Sequence, residues 1–62
     1  MKTTLLNYYG TKILCEYNSF IDNEGSFCVE LINVFAGDVN INILLSEAIF
    51  DELQQMIFEN IN

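Results

Sequence analysis

The thiols of Cys15 and Cys28 are the first side chains to weigh as nucleophiles, because the chain contains no histidine. A catalytic cysteine needs a neighbouring base or positive charge that favours its thiolate form. Neither cysteine adjoins a lysine in the sequence, whereas Glu16 adjoins Cys15 and Glu30 lies two residues beyond Cys28. Nearby carboxylates disfavour a thiolate. We therefore expect both cysteines to be structural, unpaired residues, and we do not expect an enzyme.

The carboxylates are the other groups that could do chemistry, by holding a cation or by acid–base catalysis. Glu47 and Asp51 are one helical turn apart, whereas Asp51 and Glu52 point about 100° apart on a helix and cannot share a ligand. The segment 22–25 lacks the twelve-residue frame and the closing glutamate of a calcium loop. With no histidine and two isolated cysteines, the sequence predicts no metal site and no cofactor.

Almost all of the charge has one sign. The chain has nine acidic residues and only two basic ones, Lys2 and Lys12. The formal net charge is −7, and no basic residue follows Lys12. Direct binding of nucleic acid or of an anionic membrane needs a basic surface, so the sequence excludes both as partners. One-signed charge destabilises a fold by self-repulsion, and its presence has two explanations: solubility, or recognition of a protein with a basic surface.

Length and composition indicate one small domain, residues 1–62. The chain is 52% apolar, which is too high for a disordered acidic tail. A domain of this size buries only about 60% of the surface of its unfolded chain. Without a disulfide or a metal, we expect it to gain stability as a homodimer. No signal peptide is visible, and the apolar runs are shorter than the roughly 18 residues of a membrane helix, so we expect a cytoplasmic protein.

Turn residues divide the first part of the chain into four segments typical of β-strands. The segments are 3–9, 11–21, 26–36 and 38–45. Ser46 is a good helix N-cap, and the residues after it follow helical periodicity. The sequence therefore predicts an α+β fold, in which a four-stranded antiparallel β-meander is followed by one C-terminal amphipathic helix packed on one sheet face (ββββα).

The loop 22–25 fixes the register of the central hairpin. A type I turn with Gly25 in the left-handed region places Asp22 opposite Ser26. Cys15 then opposes Asn33, and alternation collects a core face. That face consists of Ile13, Cys15, Tyr17, Ile21, Phe27, Val29, Leu31 and Phe35.

Four apolar residues fall on the side of the sheet opposite that core, where we expect an oligomer interface, because exposed apolar patches of this size usually mark one. They are Leu14, Phe20, Ile32 and Val34. The fourth segment alternates, with Val39, Ile41 and Ile43 pointing one way and the asparagines between them the other, which is typical of a half-buried strand.

The helix has an apolar stripe and an acidic back. The stripe consists of Ile49, Phe50, Leu53, Met56, Ile57 and Ile61. The back carries the candidate partner-binding residues Glu47, Asp51, Glu52, Phe58 and Glu59. Phe58 departs from the stripe, and an aromatic ring among acids suits contact with a protein partner that has a basic surface.

In size, charge and lack of catalytic residues, the chain resembles the small acidic inhibitors encoded by phages, including anti-CRISPR proteins and DNA mimics. The resemblance is one of class, because no motif carries it. It implies an inhibitor of a larger, nucleic-acid-binding protein, acting in the host cytoplasm. Eight Asn and eight Ile residues also fit an AT-rich coding source. The alternative is a homodimeric structural or regulatory module that associates through the exposed sheet face, with a small-molecule pocket between subunits.

Overall fold

The structure, a computed structural model, describes the backbone of residues 1–61 and the side chains of residues 1–60. Four antiparallel strands form one sheet, in which they lie side by side in sequence order. They are β1 (Lys2–Tyr8), β2 (Thr11–Ile21), β3 (Phe27–Ala36) and β4 (Val39–Asn40). A 3-10 helix (Asn42–Leu44) leads into α1 (Glu47–Ile61), which packs against one face of the sheet. The predicted ββββα arrangement is confirmed.

A two-residue turn joins β1 to β2. Tyr9 and Gly10 have φ angles of 49° and 86°, and two successive positive φ angles are the signature of a type I′ turn, whose twist matches that of antiparallel strands. The Gly10 N–H donates to Oδ1 of Asn7 at 2.8 Å, and this side-chain hydrogen bond stabilises the turn. Tyr8 and Thr11 close the turn as its flanking pair.

The loop between β2 and β3 has the predicted geometry. Gly25 has φ 83°, and the Asp22 N–H donates to the Ser26 carbonyl at 2.9 Å. Oδ1 of Asp22 accepts the N–H groups of Glu24 and Ser26, both at 2.9 Å. These bonds, that of Ser26 first, hold the pKa of Asp22 below its usual value, because they stabilise the ionised carboxylate.

A β-bulge in β3 changes the register in the second half of the hairpin. Pairing follows the prediction as far as Tyr17 and Leu31, but Cys15 then pairs with Val34 rather than with Asn33. One extra residue in β3 at this point exchanges the two faces for everything that follows it. The predicted register is therefore correct near the loop and wrong beyond it.

The core lies between α1 and the sheet face that it covers. Among the described residues it contains Leu6, Ile13, Cys15, Tyr17, Val29, Leu31, Val34, Leu53 and Ile57. The core prediction was wrong for Phe35, which the bulge turns to the opposite face. It was also wrong for Ile21, which lies exposed at the end of the hairpin.

The fourth segment does form a strand, but over two residues only, so the predicted extent 38–45 was wrong. β4 ends at Asn40, whose Oδ1 accepts the Asn42 N–H at 2.9 Å and so turns the chain into the 3-10 helix. Val39 is exposed and Ile43 is 92% exposed, so the expected alternation is absent.

Beyond the short β4, the Asn42 side chain forms hydrogen bonds with the outer edge of β3. Its Oδ1 accepts the Val34 N–H at 2.7 Å, and its Nδ2 donates to the Ile32 carbonyl at 2.9 Å. The Ile41 N–H donates to the Val34 carbonyl at 2.8 Å. The outer edge of β3 beside the bulge is thus satisfied by an amide side chain rather than by a ladder of backbone hydrogen bonds.

Ser46 caps α1 as predicted, with its Oγ accepting the Ile49 N–H at 3.2 Å. Further along the helix, Oε1 of Gln54 accepts the Leu31 N–H at 3.0 Å, next to the bulge of β3. Ile61, placed in the apolar stripe by the sequence, has a side chain outside the described residues.

Candidate interaction surfaces

The acidic face of α1 consists of carboxylates that are all exposed. They belong to Glu47, Asp51, Glu52 and Glu59. At helical spacing they span a sector of about 140°, on the side of the helix away from the buried Leu53. Because no basic residue follows Lys12 in the chain, this sector has a single sign of charge along the whole helix.

At helical spacing Phe58 lies between Glu47 and Asp51 in that sector, but its predicted exposure beside the acids was wrong. It is half-buried and packs against the core, and its ring centroid lies 5.9 Å from that of Phe27. Phe58 follows Gln54 by one helical turn, and Gln54 reaches the edge of β3. The side of α1 that contacts the sheet is therefore wider than the apolar stripe indicated.

One acid of the helix is tied to the sheet. The Tyr8 hydroxyl donates a hydrogen bond to the Glu52 carboxylate, and this bond is the main cause that raises the pKa of Tyr8 to about 12. The bond requires the hydroxyl proton, so it opposes ionisation of the phenol. Since Tyr8 ends β1, Glu52 lies beside that edge strand.

The side of the sheet opposite α1, called here the open face, carries two apolar rows. Leu5, Leu14 and Phe35 are register partners across β1, β2 and β3, and they form the first row. Phe20 and Cys28 pair near the hairpin loop and form the second. Polar pairs separate the two rows, so the open face is not one continuous apolar patch.

The predicted oligomer interface was therefore wrong for Val34, which is 0% exposed and part of the core. The cause is the bulge, which moves Val34 to the helix side of the sheet. Leu14 and Ile32 are half-buried, and Phe20 is 49% exposed. Leu14 and Phe20 lie about 20 Å apart along β2 at the usual rise per residue. An interface role for these three stays a prediction.

Exposed apolar residues also occur at positions where the sequence pattern did not predict them. Leu5 is 69% exposed on β1, and Ile43 and Leu44 project from the 3-10 helix. The signal for Leu5 was available, because its position in the first strand alternates with that of the buried Leu6. The signal for Ile43 and Leu44 was hidden by the regular alternation of the fourth segment.

The two cysteines are free thiols, as expected, and they lie on opposite faces of the sheet. Burial raises the pKa of the Cys15 thiol. Burial raises the pKa of Cys28 as well, and the carboxylate of Asp22 adds to the shift, since Sγ of Cys28 lies 3.7 Å from Oδ2 of Asp22. Both shifts disfavour the thiolate that nucleophilic catalysis needs.

The described part of the chain contains no pocket and no group of three or more potential metal ligands. Across the same residues, α1 is too short and too polar to cross a bilayer. Absence of enzymatic activity stays a prediction. What the geometry offers is surfaces: an acidic helix face, an edge strand and apolar rows.

Comparison with protein-family models, with curated proteins and with solved structures finds no match to this chain.

Proposed function

We propose that this chain is a small acidic interaction module that binds a basic surface of a larger protein through α1 and inhibits that protein. The observation that carries the proposal is the acidic face of α1, whose carboxylates at Glu47, Asp51, Glu52 and Glu59 are all exposed. Like charges placed together on one helix destabilise it slightly. A compensating partner would remove that repulsion on binding.

The density of carboxylates along α1 favours, as the target, a protein surface with a few basic residues rather than an extended site that binds many phosphates. From Glu47 to Glu59 the helix rises about 18 Å, and this length carries four carboxylates. Duplex DNA carries about ten phosphates over the same length. A basic patch with a few Lys or Arg side chains therefore matches α1 better than an extended nucleic-acid channel does, and close imitation of DNA is the less favoured form of the proposal.

The net charge of −7 would also act before contact. Complementary charge steers encounter and raises the association rate, and salt screens this effect. The proposed complex should therefore form fastest at low ionic strength and weaken steadily as salt is added, because exposed charges interact over about 10 Å at 0.1 M salt.

The test compares two variants with the same change of charge. The first neutralises the helix face by Glu47→Gln, Asp51→Asn, Glu52→Gln and Glu59→Gln. The second neutralises four acids elsewhere by Glu16→Gln, Glu24→Gln, Glu30→Gln and Asp38→Asn. Asp22 is left intact in both because it holds the hairpin loop. Each immobilised protein is incubated with lysate of a low-GC bacterium and eluted with a salt gradient.

We expect the wild-type protein and the second variant to retain a basic protein that elutes at high salt, and the helix variant to retain at least tenfold less. The purified partner is then assayed for inhibition by the wild-type protein. Equal loss of binding in both variants would mean that net charge alone acts, and a wild-type protein that retains no basic protein would mean that there is no basic partner. Either result contradicts the proposal.

A further inference from the structure

The two edges of the sheet differ in whether their outward backbone groups have hydrogen-bond partners. The outer edge of β3 is satisfied by β4 and by the side chains of Asn42 and Gln54. β1 lies at the other end of the strand order and pairs along all seven residues with β2. Among the described residues, no backbone hydrogen bond reaches its outer side. A long unpaired edge is a template for adding another strand.

The turn geometry identifies which groups of β1 point outward. In a type I′ turn the flanking residues, here Tyr8 and Thr11, form a hydrogen-bonded pair. Hydrogen-bonded pairs alternate with non-hydrogen-bonded ones along an antiparallel ladder. The N–H and C=O groups of Thr4 and Leu6 therefore point to β2, like those of Tyr8, and those of Thr3, Leu5 and Asn7 point outward (register partners as above).

These outward groups match a second copy of β1 in one register. With antiparallel pairing about a two-fold axis beside Leu5, Leu5 faces Leu5 of the second copy. Thr3 of each copy then faces Asn7 of the other. About six backbone hydrogen bonds result, two for each such pair. A slip of two residues leaves some outward groups of the edge unpaired. On the open face, Leu5 against its copy joins the two Leu5, Leu14 and Phe35 rows end to end.

Charge on the helix side supports the same register. Lys2 then faces Tyr8 of the second copy, and the Tyr8 hydroxyl holds the Glu52 carboxylate. Lys2, which donates to Oγ of Ser19 at 3.0 Å in the monomer, thus lies within reach of an opposite charge, and symmetry repeats the contact. All nine acids lie at Glu16 or beyond. β1 itself contains Lys2 and no acidic residue, so pairing along it places no carboxylate within the contacting strands of two chains of net charge −7.

We propose that the chain forms a symmetric dimer through antiparallel pairing of β1 with β1 of a second copy, which gives one continuous sheet. The proposal rests on the edge of β1 and is independent of the function proposed for α1. A contact made by one seven-residue edge lies at the small end of protein interfaces, so we expect a reversible dimer with a dissociation constant of about 1 to 100 μM.

Sedimentation velocity from about 5 to 500 μM, the range around that constant, tests the proposal with a matched pair of variants. Leu5→Lys puts two ammonium groups opposite each other at the axis and should weaken association at least tenfold. Ile43→Lys makes the same change of charge at an exposed residue far from β1 in sequence and should leave association unchanged or slightly stronger. Circular dichroism verifies that both variants are folded.

Amide hydrogen exchange supplies a second measurement that needs no variant. In dilute protein the outward amides of Thr3, Leu5 and Asn7 should exchange fast, while those of Thr4 and Leu6 are protected by β2. At high concentration the outward amides should become protected too. The proposal is overturned by a monomer at about 500 μM, which would leave the edge to another protein. It is also overturned by a dimer that Leu5→Lys does not weaken, which would place the contact on another surface such as the open face.

Discussion

Replacement of Asn42 by alanine should be among the most destabilising single changes in the chain. Oδ1 of Asn42 accepts the Val34 N–H at 2.7 Å, and its Nδ2 donates to the Ile32 carbonyl at 2.9 Å. Val34 is fully buried, so water cannot replace the lost partner without opening the core. Two hydrogen bonds at about 1 kcal/mol each, together with a buried donor left unpaired, give a loss of about 2 to 4 kcal/mol.

That loss is large on the scale of the whole molecule. At typical values per residue, a chain of this length has a free energy of unfolding of about 3 to 9 kcal/mol. Urea denaturation followed by circular dichroism measures the change. With a slope of about 1 kcal/mol per molar urea for a small domain, Asn42→Ala should lower the midpoint by about 2 M or more.

Asn18→Ala is the matched control, since Asn18 is exposed in the middle of β2 and should change stability by less than about 0.5 kcal/mol. Asn42→Asp sharpens the test. Its carboxylate keeps an acceptor for the Val34 N–H, but its second oxygen faces the carbonyl oxygen of Ile32, and the two oxygens repel each other. Protonation restores a donor, so the deficit of this variant should shrink as the pH falls from 7 to 3. Similar midpoints for Asn42→Ala and Asn18→Ala would refute the reasoning.

Three smaller predictions concern other side chains. Gln54→Ala removes the acceptor for the Leu31 N–H and should cost about 1 to 2 kcal/mol in urea denaturation, whereas Gln54→Glu, which keeps an acceptor, should cost less. A thiol reagent should modify half-buried Cys28 first, and Cys15, which is 0% exposed, only at the rate of unfolding, as mass spectrometry can follow. Because the pKa of Asp22 is lowered in the folded protein, its ionised carboxylate stabilises the fold at pH values above the unfolded pKa of about 3.9. This contribution is lost as the pH falls through the folded pKa. The stability difference between wild type and Asp22→Asn should therefore narrow from pH 7 to pH 3.

The local parts of the fold were predictable because short stretches of sequence determine them. The loop 22–25 carries its own turn chemistry, with an aspartate that caps two N–H groups and a glycine at positive φ. Ser46 likewise caps α1 through a bond to a residue three positions away. Such interactions depend on neighbours in the chain, and they gave the strand order, the loop register and the start of the helix correctly.

The errors arose where a distant side chain overrides local pattern. Nothing in the alternation of residues 38–45 indicates that Asn42 turns inward, because its hydrogen-bond partners, Val34 and Ile32, lie at the bulge of another strand. The bulge in turn decides that Val34 rather than Phe35 is buried. One unrecognised extra residue in β3 thus accompanies the wrong length of the fourth strand, and it accounts for one wrong core residue and one wrong interface residue.

The two proposed surfaces reinforce each other. A two-fold axis through Leu5, perpendicular to the sheet, places both copies of α1 on the same side, because each helix packs on the face that carries Leu6 and Ile13. The dimer then presents two acidic helices in one direction. Two sites joined rigidly bind a repeated or extended basic surface more tightly than one does, through effective concentration. Loss of the dimer by Leu5→Lys should then weaken partner binding although every acid of α1 remains, whereas the dimer should persist when the acids other than Glu52 are neutralised.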